Sequence, residues 1–149
     1  VLHKPGPGRL PSARWAARRR PLHCTASGKV LLAWLPAEER ARLLPRHLIR
    51  HTPATIDSAA RLAEELADVA VQGYALALGE YEEGHNAIAA PIRNHDGHVV
   101  GALSLSGPAF RLEQVTLREF AAPLLATAGL ISGEMGYSGQ LHRARDGDE

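Results

Sequence analysis

Two apolar runs flank the tetrapeptide Asn94-His95-Asp96-Gly97, and no other feature constrains the fold of this chain as tightly. Asp-Gly between strand-like segments favours a hairpin turn, so residues 87–93 and 99–106 are expected as neighbouring antiparallel strands. In the second run Leu103 and Leu105 alternate with Ser104 and Ser106. A strand sends alternate residues to opposite faces. Both hydroxyls therefore share one side, and both leucines face a helix-packed core on the other. On an interior strand such hydroxyls need partners, from a polar ligand, water or neighbouring backbone.

Helical spacing surrounds this hairpin. Thr25 and Ser27 are capping residues ahead of Val30, Leu31, Trp34 and Leu35, and Pro36 opens a short helix over 36–44. Residues 45–56 read as loop. Leu62, Leu66 and Val69 form a stripe in a helix over 57–72 that Gly73 ends, and 74–78 reads as a short strand. A last helix spans 113–135, with Phe120, Leu124, Ala128, Ile131 and Met135 roughly on one face. Pro123 should kink or split it. Antiparallel strands with helices on both sides in sequence predict an α+β layer rather than a parallel doubly wound sheet.

With 149 residues the chain has the length of one domain. No apolar run approaches the ~18–20 residues of a membrane span, and no apolar stretch follows the basic start as in a signal peptide. The cytoplasm is the expected compartment. The single cysteine, Cys24, excludes an internal disulfide and a multi-cysteine metal site. Residues 1–20 are rich in proline and glycine and carry Lys4, Arg9, Arg14, Arg18, Arg19 and Arg20 without an acid, although the whole chain is nearly neutral at +1. Such an arm is either a solvated terminus or a nucleic-acid contact. Residues 138–149 read as a polar tail.

Few residues offer chemistry. The run ending in Gly28-Lys29 resembles a phosphate loop only superficially, because no glycine stands five residues earlier and Val30 replaces the metal-binding hydroxyl. Its hydroxyls and amides could still receive an anion at a helix start. Cys24 and His23 are adjacent and, on a strand, would point apart, which makes a poor nucleophile–base pair. The eight histidines are scattered, and His47 and His51 lie in a loop with no metalloprotease pattern, so no metal or cofactor is expected. Glu80, Glu82 and Glu83 read as a solvated acidic turn.

The segments 21–33 (Pro-Leu-His-Cys-Thr-Ala-Ser-Gly-Lys-Val-Leu-Leu-Ala), Gly73-Tyr74 with Glu80, and 84–92 (Gly-His-Asn-Ala-Ile-Ala-Ala-Pro-Ile) recur in a known order. Gly97, 102–108 (Ala-Leu-Ser-Leu-Ser-Gly-Pro) and 131–136 (Ile-Ser-Gly-Glu-Met-Gly) follow. Together they resemble the C-terminal, effector-binding domain of the IclR family of bacterial transcriptional regulators over residues 21–137. The resemblance implies a GAF-like antiparallel sheet flanked by helices, with a ligand pocket on one face. It implies no enzyme, but a sensor of a small organic acid, carboxylic or aromatic, that forms a homodimer or homotetramer. Operator DNA would be read by a separate winged helix-turn-helix domain, which residues 1–20 are too short to form, so the chain is expected to be a fragment or a truncated member. Carried over position by position, the resemblance places the effector among Ala26, Ser27, Gly28, His85, Ala87, Ser104 and Ser106. The family often has an acid or serine where this chain has Ala77, and cysteine where it has Ala87. Both departures remove polar atoms and imply a larger, partly hydrophobic acid. The competing readings are a nucleic-acid binder acting through the basic arm and a small enzyme using Cys24 and His23.

Overall fold

The computed structural model describes residues 20–139; the basic arm, save Arg20, and the polar tail beyond residue 139 lie outside them. The element order is α1 (Ala26–Ala33), α2 (Ala37–Leu43), α3 (Ala59–Gln72), β1 (Ala75–Leu78), β2 (His85–Arg93), β3 (Val99–Pro108), α4 (Gln114–Glu119) and α5 (Ala121–Glu134). The strands form one antiparallel sheet in the order β1-β2-β3. An α+β layer is thus what the sequence folds into.

Each element starts and stops for a local reason. Thr25 caps α1: its Oγ1 accepts from the Gly28 amide at 3.2 Å and donates to the Pro21 carbonyl at 2.9 Å. That second bond folds residues 21–25 back over the helix start. α3 buries Leu62, Leu66 and Val69, as its periodicity predicts, and ends at Gly73 with φ 87°, a conformation glycine adopts without penalty. The hairpin turns at Gly97, φ 83°, while Asn94 Oδ1 accepts from the amides of Asp96 and His98.

The last helix is split, but not at Pro123. The break falls at Phe120, which leaves Pro123 in the first turn of α5, where its missing N–H costs no helical hydrogen bond. The expected apolar face is also incomplete, because Phe120 and Met135 are exposed and Ala128 carries the burial.

Alternation along the strands separates two cores. Ala75, Ala77 and Ala89 face Ala26 and Val30 of α1 and Val69 of α3; on the opposite face Leu76 and Ile88 meet Leu117 of α4 and Ala121 of α5. Leu32, Ile56, Leu62 and Leu66 join α1 to α3. Alanines on the first face let α1 approach the sheet closely. Leu105 packs with the second core as expected, and both it and Leu103 are half-buried.

A bulge at Ile92 and Arg93 interrupts the β2–β3 register. The amide of Arg93 donates instead to Ser132 Oγ of α5 at 2.9 Å, and that hydroxyl donates to the Ala128 carbonyl at 2.7 Å. The Arg93 guanidinium lies 4.8 Å from the Trp34 ring centroid at the end of α1. One residue therefore joins both helical layers to the sheet.

Candidate functional site

Strand register brings the small and hydroxyl residues of the alanine face into two rows. Ala77 lies opposite Ala87 and Ala87 opposite Ser106; Ala75 lies opposite Ala89 and Ala89 opposite Ser104. α1 lies across all three strands, packing on Ala75 and Ala77 of β1, Ala89 of β2 and Val99 and Ala102 of β3; Ala26 and Gly28 are buried, Ser27 and Ala87 are half-buried, and Ser104 and Ser106 are exposed. His85 begins β2 on the same face and is half-buried.

Two expectations are corrected here. β3 is an edge strand of the described sheet rather than an interior one, and its serines are exposed. Among the described residues, the hydroxyls of Ser27, Ser104 and Ser106 have no protein partner, so solvent or a ligand satisfies them. The start of α1 is also less open to an anion than its sequence implies. Its Gly28 amide is taken by Thr25 and its Lys29 amide by the Thr25 carbonyl at 2.9 Å, so ordinary capping accounts for those donors.

The buried charge of the site escaped the sequence reading. Lys29 is fully buried, and its Nζ donates to Glu65 Oε1 at 2.8 Å, to the Leu76 carbonyl at 2.9 Å and to Glu80 Oε1 at 2.6 Å. Three donors meet three acceptors from α3, β1 and the turn after β1. Glu80 is therefore not part of a solvated acidic face; it is 8% exposed, while Glu82 and Glu83 remain at the surface. Burial raises the Glu80 pKa above the usual carboxylate value, despite the opposing pull of Lys29. Thr55 donates to the Glu80 carbonyl at 2.5 Å and Thr52 to the Gly79 carbonyl at 2.7 Å, which fixes this turn against the 45–56 loop. The one available signal was Lys29 itself, an ionic residue amid the apolar positions of α1.

His23 and Cys24 occupy a turn rather than a strand. Both are buried. Burial, reinforced by the Glu80 charge, pushes the Cys24 thiol up to about 11, so it keeps its proton at neutral pH and makes a weak nucleophile.

His85 gives this end of the sheet a pH response. Desolvation lowers its pKa below the ordinary 6.5; Arg20 lowers it further, while Glu82 opposes both. The unfolded chain takes up this proton near pH 6.5, the folded chain only at lower pH. The contribution of His85 is therefore intact above that value and is lost as pH falls from it through the folded pKa. Urea unfolding at a series of pH values below 7 should show a His85→Gln variant losing less stability on acidification than the parent. Parallel curves would remove His85 as the cause.

The family model described as bacterial transcriptional regulator IclR C-terminal matches residues 6–133. The HTH-type transcriptional regulator XynR of Escherichia coli is 41% identical over 121 residues, covering 80% of this chain and 48% of XynR. The crystal structure of the C-terminal domain of E. coli KdgR matches with a TM-score of 0.74 at 41% identity, covering 80% of this chain and 74% of that one. The inducer-binding domain of PobR from Acinetobacter was solved as a double mutant in complex with 3-hydroxybenzoic acid. It matches with a TM-score of 0.71 at 32% identity, covering 80% of this chain and 67% of that one. The chain spans about half the length of the curated relatives it matches. With the helix-flanked antiparallel sheet, these matches show that the chain belongs to the IclR family of bacterial transcriptional regulators and corresponds to their C-terminal domain.

Proposed function

We propose that the alanine–serine face of the sheet binds a small organic acid, and that its occupancy controls DNA binding by a separate winged helix-turn-helix domain of the whole regulator. The observation that carries this reading is the register of Ala77-Ala87-Ser106 and Ala75-Ala89-Ser104 beside the start of α1, with serine hydroxyls that have no partner among the described residues. Ser27, Ser104 and Ser106 anchor the polar end of the acid, and His85 borders it. Ala77 is packed under α1, so the apolar body lies against the half-buried Ala87 beside Ser106. The PobR inducer-binding domain, a relative of the same fold, holds an aromatic hydroxy acid, which supports this ligand class. The protein works as a homodimer or homotetramer in the cytoplasm and performs no catalysis. Among the described residues no helix is long and apolar enough to cross a membrane.

The physical requirement is differential affinity. An acid that binds two arrangements of the oligomer equally shifts nothing, whereas ~1–3 kcal/mol of preference for one shifts the population several-fold or more. Calorimetry with 3-hydroxybenzoate and a panel of aliphatic and aromatic carboxylates tests the site. For any acid that binds, Ser104→Ala with Ser106→Ala should weaken affinity about tenfold or more, because hydrogen bonds to a charged group are lost. The thermal midpoint should move by no more than about 2 °C, since both side chains are exposed. Equal affinity in the double variant would place the ligand elsewhere.

A further inference from the structure

His23, Cys24 and His51 each bring one ligating atom within 4.8 Å of the other two. The sequence separates His51 from the other two by a whole helix–helix connection; the folding of the 45–56 loop against the turn before α1 unites them. Zinc–sulfur bonds of ~2.3 Å and zinc–nitrogen bonds of ~2.0–2.1 Å put ligand atoms roughly 3–4 Å apart in a tetrahedral site. Small side-chain rotations therefore suffice to close the three on one ion.

The hydrogen bonding around the cluster favours the same use. His23 Nε2 lies 2.9 Å from the carbonyl oxygen of Ile49. A carbonyl only accepts, so Nε2 must carry the proton, and the neutral ring keeps its lone pair on Nδ1. A backbone carbonyl that fixes the tautomer of a ligating imidazole is the usual outer partner of a metal-bound histidine. His51 is exposed, which gives an ion a route from solvent, and its ring meets Tyr81 edge-on at a centroid distance of 5.1 Å. Glu80, whose charge is felt at Cys24, has its Oε2 buried with no hydrogen-bond partner among the described residues. An unmatched buried acceptor beside the cluster adds a negative potential that a cation would relieve, against the opposing charge of Lys29.

We propose that His23, Cys24 and His51 form a binding site for a divalent transition-metal ion of the zinc class. Two imidazoles and a thiolate select zinc or cobalt over magnesium or calcium, which prefer oxygen. Cys24 loses its thiol proton to solvent as the ion binds, and the fourth coordination position is left for water or an exogenous ligand. The ion ties the 45–56 loop to the turn that starts α1. Ser104 and Ser106, which stand on β3, take no part in the cluster.

The test uses the full chain stripped with a chelator and titrated with cobalt(II), then zinc(II). One equivalent of cobalt should produce a thiolate-to-metal charge-transfer band in the near ultraviolet, and zinc should abolish it. His51→Ala changes an exposed residue and keeps the fold, and it should weaken cobalt binding at least tenfold. Cys24→Ser should remove the band; where that variant does not fold, His51→Ala decides alone. Absence of the band in the parent, or binding unchanged by His51→Ala, overturns the site and assigns any bound ion to other histidines.

Discussion

Replacing Lys29 by alanine should lower the free energy of unfolding by about 3–5 kcal/mol, the range for removing one partner of a buried ion pair. The ammonium is fully buried, and its three contacts come from separate elements. Glu65, one-third exposed, can turn to water once the partner is gone. Glu80 cannot, and its Oε2 already lacks a hydrogen-bond partner among the described residues. The loss is a large fraction of the ~5–15 kcal/mol by which a domain is stable. Urea unfolding followed by circular dichroism measures it. The Lys29→Met, Glu80→Leu double variant should recover at least half of the loss, because it removes the stranded carboxylate and fills the space with apolar atoms. A cost below about 1 kcal/mol for Lys29→Ala would mean that water reaches Glu80.

The second large effect belongs to Gly28. A Cβ placed there meets the carbonyl oxygen of Leu22, lies 2.5 Å from its Cα and 2.7 Å from its carbonyl carbon. All three are backbone atoms, so no rotamer change relieves the clash. The doubled-back segment held by Thr25 and Pro21 must move, and Gly28→Ala should cost about 3 kcal/mol or more. At Gly129 in α5 a Cβ meets nothing within 4 Å. Gly129→Ala should therefore stabilise by roughly 0.5–1 kcal/mol through backbone entropy alone. Opposite signs in the thermal midpoints of these two variants separate steric need from helix propensity. A neutral Gly28→Ala would show that the Pro21–Thr25 turn is free to shift.

Local rules made most of the fold legible. Asp96-Gly97 located the hairpin, the Leu62-Leu66-Val69 stripe located α3, and alternation in β3 assigned Leu105 and Ser104 to opposite faces. Each depends on residues a few positions apart. What escaped depends on distant ones. Glu80 reads as solvated beside Glu82 and Glu83 because its partner Lys29 stands 51 residues away. The cluster of His23, Cys24 and His51 is invisible for the same reason. The edge position of β3 follows from strand order, which alternation within one strand does not encode. For the proposed acid site, the sequence supplied the shared face, while the packing of α1 across that face emerged only from the fold.

α1 is fastened at its middle and at its C-terminal end: Lys29 grips the turn that follows β1, and Trp34 meets Arg93 at the bulge. A rod pinned at two points on a plate does not rock on it. Tilting α1 would separate the indole from the guanidinium or pull an ammonium from its carboxylate, so helix and sheet travel together as one stiff slab.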